Sequence, residues 1–122
     1  MSKYLLVLLF FSSNVIFADV PAEQIREVEH LLNFVKHSNC MINRNGSIHP
    51  AEKGVAHIKR KYEYFRDDIK NTEDFIKFSA TKSTMSGKFY TVNCPGKKTI
   101  KTRDWLLDEL KRFRLKEDGD KY

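Results

Sequence analysis

Cys40-Met41-Ile42-Asn43-Arg44-Asn45-Gly46-Ser47-Ile48-His49-Pro50 is the stretch on which the fold turns. Asn-Gly is favoured where both central residues of a tight turn need positive φ, so this segment reads as a short hairpin or tight turn. Its cysteine has one possible partner in the chain, Cys94, which closes Phe89-Tyr90-Thr91-Val92-Asn93-Cys94. That second run is rich in strand-forming residues and is stopped by Pro95-Gly96. A bridge between the cysteines would bring the two extended segments together, and pairing of the 40s segment with 89–94 is the economical arrangement.

The rest of the chain is punctuated as helix. From Ala22 to about His37, Ile25, Val28, Leu32 and Val35 share a face, with Leu31 on its flank and Pro21 near the start. Pro50 is placed to open a second helix that runs to about Phe65, with Val55, Ile58, Tyr62 and Phe65 on one side. Gly54 inside it costs about 1 kcal/mol relative to alanine. A third, shorter helix begins near Asn71 or Thr72, either of which can cap it, with Glu73 and Asp74 suited to the positive end of the macrodipole. Phe75, Ile76, Phe78 and Ile69 supply its apolar contacts. Residues 81–88 carry too many hydroxyls and a glycine for a helix and read as a loop. A last helix follows Thr102 and carries Trp105, Leu106, Leu110 and Phe113, and the charged tail from Lys116 to Tyr122 is expected to fray. The expected architecture is α+β: a mostly helical single domain of about four helices, with a small antiparallel sheet or hairpin and one disulfide.

A chain of 122 residues excludes a multidomain enzyme. A domain of this size buries only about two-thirds of its unfolded surface, so a covalent staple matters. Residues 1–18 read as a secretory signal: Lys3 is the positive start, Tyr4 to Phe11 is almost continuously apolar, and Ile16-Phe17-Ala18 places a small residue just before Asp19. Ser12, Ser13 and Asn14 interrupt an apolar run already well short of the roughly 20 residues a membrane span needs. No cysteine follows the run to carry a lipid. The folded domain is therefore expected over 19–122, in a compartment where disulfides persist. Cys40 and Cys94 then read as one structural bridge, worth about 4 kcal/mol on the chain-entropy model. There is no C-x-x-C to suggest redox chemistry, and the four histidines and two cysteines show no paired spacing for a metal. No cofactor is expected.

Arg44-Asn45-Gly46-x-x-His49, Val55-x-His57, Lys61, Phe75-Ile76, Ser83-Thr84-x-Ser86-Gly87-Lys88-x-Tyr90 and Pro95-Gly96-Lys97, taken in order, resemble the pattern of the YfeK-like family. These are small exported bacterial proteins without an assigned function. The resemblance covers residues 40–97 as motif and most of the remaining chain as helix layout. It implies export to the periplasm of a Gram-negative cell, with an extracellular location as the alternative, and it supplies no activity. The chain departs from the pattern at Phe89, where members have proline, and at Thr84 between the serines. Some members also lack the cysteine pair.

The second helix places His57, Lys61 and Tyr64 on one flank at i, i+4 and i+7. An imidazole there can carry a proton near neutral pH, or can simply bond a turn carbonyl or loop hydroxyl. Pairing with Ser83 or Ser86 would make a hydrolase, but no G-x-S-x-G elbow identifies an activated serine. Arg44, Lys61, Lys82 and Lys88 surround the hydroxyl-rich loop, whose donors suit an anion or an extended peptide. The local alternative is a solvated loop with capping serines and Gly87 at its turn. The candidate functional surface is Arg44, His57, Lys61, Ser86, Gly87 and Tyr90. With 22 Lys+Arg against 16 Asp+Glu the chain is basic. Acids are interleaved throughout and no nucleic-acid-binding motif is present, so the charge points to an anionic envelope component or another exported protein. Lys97, Lys98, Lys101 and Arg103 form the densest local cluster. The expected function is a small exported binding or envelope-associated protein, with a small hydrolase using His57 and a loop serine as the alternative.

Overall fold

The computed structural model describes residues 20–120, and the expected signal segment 1–18 lies outside them. Four helices, α1 (Ala22–Lys36), α2 (Ala51–Tyr64), α3 (Thr72–Ser79) and α4 (Thr102–Gly119), surround a small antiparallel sheet. Its strands are β1 (Met41–Arg44), β2 (Ser47–Pro50), β3 (Thr91–Asn93) and β4 (Ile100–Lys101), in the order β2-β1-β3-β4. A single 3-10 turn, Arg66–Asp68, links α2 to α3. No helix among the described residues is long and apolar enough to cross a membrane.

Asn45 and Gly46 adopt φ of 56° and 90°, as a two-residue turn between antiparallel strands requires, and they fold β2 back on β1 with Arg44 opposite Ser47 and Ile42 opposite His49. On its other side β1 pairs with β3, Met41 opposite Asn93 and Ile42 opposite Val92. Cys40 and Cys94 lie just beyond that pair and are bonded, with their Cα atoms 4.2 Å apart. The bridge therefore clamps one end of the central strand pair.

Helix α1 packs against α2, α3 and α4, so its core stripe is broader than a single sheet contact would need. Leu31, expected at the flank, is buried at its centre with Val28 and Val35, whereas Leu32 is half-buried and Ile25 is 38% exposed. Asn71 caps α3, its side-chain oxygen accepting from the Asp74 backbone N–H at 2.7 Å. The strand expected over 89–94 is split. Thr91–Asn93 joins the sheet, while Phe89 and Tyr90 pair with the start of the loop, Lys82 opposite Phe89 and Tyr90 N–H donating to Thr81 at 2.9 Å. β4 has only two residues, too few for a readable alternation. Within the tail expected to fray, 116–119 continue α4, and Glu117 accepts from Arg26 of α1 at 3.3 Å.

Gly54 stands where α2 crosses β1. A Cβ there would lie 2.8 Å from Ile42 Cδ1, and Ile42 is itself buried. Alanine would gain about 1 kcal/mol of helix propensity, while an extra methyl group in a packed core costs roughly 1–3 kcal/mol. Gly54→Ala is thus expected to destabilise by about 1 kcal/mol net. Adding Ile42→Val to that variant should recover part of the loss, because the δ-methyl in the way is gone. A double-mutant cycle in urea showing no coupling between the two positions would contradict this account.

Candidate functional site

The I′ hairpin decides which side chains meet. Residues two apart on a strand share a face, so the register places Arg44, Ser47 and His49 on the same side of the hairpin as buried Ile42, toward α2. His57 is one turn after Gly54 on α2, and Lys61 is one turn further. Tyr90 is held beside them by its backbone bonds, its N–H donating to Thr81 and its carbonyl accepting from Thr102 N–H, both at 2.9 Å. The result is a half-open cleft of about 240 Å³ lined by Arg44, Asn45, Ser47, His49, His57, Ser83 and Tyr90. None of these is acidic.

A hydrogen-bonded chain forms its inner wall. Lys61 Nζ donates to the Lys82 carbonyl at 2.7 Å and to Tyr90 Oη at 3.4 Å, and Tyr90 Oη lies 3.1 Å from His57 Nε2. An ammonium has only donors, so the phenol oxygen accepts from Lys61 and its own hydrogen is free to go to His57. Nε2 of the neutral imidazole is then the acceptor. Burial pushes the His57 pKa from 6.5 down to about 4, helped by the positive charges of Arg44, Lys61 and Arg60 and by His49. Burial and Arg44 also lower the Lys61 pKa, and burial raises that of Tyr90 against the opposing pull of Arg44. Arg44 Nε is buried and has no hydrogen-bond partner among the described residues.

Of the six residues expected to form the surface, Arg44, His57 and Tyr90 line the cleft, and Lys61 stands behind Tyr90. Ser86 is at the rim, its Oγ donating to Asn45 Oδ1 at 3.0 Å and its N–H to Ser83 Oγ at 3.2 Å. Gly87 does not line the cleft. With φ of 71° it turns the loop, its N–H donating to the Ser83 carbonyl at 2.9 Å. Tyr64, on the same flank of α2 by spacing, is 81% exposed and stacks edge-on with Phe65. His49, which stands in the quoted motif, and Ser47 are not in the expected surface, although the two-residue turn with period-2 alternation carries that signal. In the basic cluster, Lys101 and Arg103 stand over the Phe89 ring at 4.3 Å and 5.3 Å, and Lys97 and Lys98 are exposed in the preceding turn.

Fold and site together define a small disulfide-clamped α+β domain with a basic, carboxylate-free cleft between a hairpin and a helix. The chain belongs to the family of unknown function DUF5329, whose family model matches residues 22–114 and so takes in the whole cleft. No curated protein and no solved structure matches it.

Proposed function

We propose that this is an exported binding protein whose cleft receives an anionic group. The observation that carries the reading is the company kept by Arg44: two imidazoles and a lysine gather around it with no acid lining the space, and its buried Nε lacks an acceptor. Gathering like charges in a partly desolvated space is costly, and an oxyanion would offset that cost through charge-assisted hydrogen bonds. Hydrolysis by His57 and a loop serine is the weaker reading. His57 Nε2 faces Tyr90, Ser83 Oγ accepts from Ser86 N–H, and no carboxylate lines the cleft to orient the imidazole.

The signal-like residues 1–18, the disulfide and the resemblance to YfeK-like proteins support export to the periplasm, with an extracellular location as the alternative. In that setting the anion belongs to an envelope component or to another exported molecule. Titration of the purified protein with sulfate at low ionic strength tests the cleft. Arg44→Ala should weaken sulfate binding about tenfold or more, the loss of one charge-assisted contact, while thermal stability holds or rises as a like charge leaves. Absence of sulfate binding by the unmodified protein, or an Arg44→Ala variant that binds equally well, would overturn the proposal.

A further inference from the structure

We infer that His57 is the selectivity element of this cleft: it takes up a proton as the anion enters, so that the site favours tetrahedral dianions, a sulfate or a phosphate monoester, over monoanions of the same shape. The inference rests on the anion-binding reading above and says which anions that site takes.

Arg44 faces the His57 imidazole from β1, His49 from β2, Arg60 and Lys61 from its own helix, and the Tyr90 hydroxyl from the segment before β3. Every charge in that set opposes a proton on His57, and with the cleft empty the ring is neutral at ordinary pH. Lys61 does not line the cleft and directs two of its three N–H donors to the Lys82 carbonyl and Tyr90, so a ligand meets its charge at a distance and not as a contact. Among the residues that line the cleft, the permanent charge is that of Arg44. A monoanion is matched by Arg44 alone, whereas a dianion leaves one negative charge in a partly buried space. A proton on His57 cancels it.

The hydrogen-bond chain can accommodate that proton without orphaning any group. In the neutral state the Tyr90 hydroxyl donates to His57 Nε2. When Nε2 takes a proton from solvent, the N–H donates to Tyr90 Oη instead. The phenol oxygen has two acceptor sites, and it then accepts from both His57 and Lys61. Its own hydrogen is released to turn toward the bound anion. One proton thus adds a positive charge and frees a donor in the same step. The cost of protonating the imidazole is what a monoanion fails to offset.

Linkage fixes the sign. If the anion raises the His57 pKa, affinity strengthens as pH falls through the complex's pKa and levels off below the free protein's, with a limiting slope of tenfold per pH unit. Sulfate remains a dianion throughout this range, and perchlorate is a tetrahedral monoanion. Calorimetric titration of the purified protein with each, between pH 4.5 and 7.5 in buffers of different ionisation enthalpy, reads proton uptake directly. Uptake approaching one proton per sulfate near pH 5, with none for perchlorate, is the expected result. His57→Gln should bind sulfate with a flat pH profile and a reduced preference over perchlorate, and His49→Gln should keep the slope. The proton count comes from the unmodified protein, so it stands even if a variant folds poorly.

A second arm separates sources of the dianion. Flotation with phosphatidic acid vesicles, reversed by sulfate, supports a membrane headgroup as the natural ligand. Sulfate binding with proton uptake but without flotation supports a soluble one. Sulfate binding with no proton uptake and a flat pH profile overturns the role of His57 while leaving the anion cleft standing. No sulfate binding at any pH overturns both.

Discussion

Replacing Cys40 and Cys94 together by alanine is expected to lower folding stability by about 4 kcal/mol, the chain-entropy value for a long closed loop. The bridge links residues 54 positions apart, spanning β1, β2, α2, α3 and β3, so almost half of the chain is released in the unfolded state when it is absent. For a small domain with a net stability of roughly 5–15 kcal/mol this is a large fraction, and Tm should fall by roughly 15–30 °C. The position of the bridge explains why no other contact substitutes for it. β3 has three residues and β4 two, and β3 reaches the rest of the sheet through its short ladder with β1. Urea melts of the double variant measure the effect directly. A loss under about 1 kcal/mol would mean that packing of Ile42, Val92 and Val55 holds the strand pair without help. Protein recovered from an oxidising compartment should take up no alkylating reagent, by intact mass, until it is reduced.

What was legible in the sequence was whatever a few neighbouring residues decide for themselves. Asn45-Gly46 specifies its turn because few residues adopt positive φ at low cost, and Asn71 specifies the start of α3 because its side chain satisfies an N–H three residues on. The pairing of β1 with β3 was legible for a different reason: with two cysteines there is one possible bridge, and its ends carry the strands. Membership of the cleft was harder because it is a property of register. Arg44 and Tyr90 could be placed near each other through the disulfide, but His49 enters through its alternation with Ser47 across a turn of known length. That step needs the sheet's inner face, and the inner face is set by α2 packing over Gly54 and Ile42. Gly87 shows the converse. It stands in the same motif as Ser86 and Tyr90, yet its backbone is spent on closing the loop. The outward ends, Ile25 and residues 116–119, depended on how α1 and α4 pack together, which periodicity within one helix does not report.

Stability should fall in two separate steps as the solution is acidified, and His57 should own the first. Its folded pKa is about 4 against an ordinary 6.5, so between those values the unfolded chain binds a proton that the folded protein refuses. Stability from this group is complete above about pH 6.5 and declines as pH falls toward 4. The ceiling is about 3 kcal/mol for a shift of this size, and the measured loss should be smaller because the ring borders an open cleft and is screened by solvent. The second step belongs to carboxylates held below their usual range. Glu27 is held down chiefly by its hydrogen bond from Arg114 Nε at 2.6 Å, with Thr72 Oγ1 donating to its other oxygen. Glu109 is buried, which works against its charge, but hydrogen bonds from Arg112 and His30 outweigh that. Their contribution is present above about 4.5 and is lost as pH falls through the folded values, below the His57 window. Urea melts at pH 7, 4.5 and 3 in a chloride buffer separate the two. His57→Gln should flatten the change from pH 7 to 4.5 and leave the loss below 4.5 in place, and an unchanged upper step in that variant would assign it to another group. Sulfate should act oppositely to acid in the upper window. If sulfate binds only the folded cleft and is matched there by the protonated ring, as proposed, added sulfate should restore more stability at pH 5.5 than at pH 7, and should lose that pH dependence in His57→Gln.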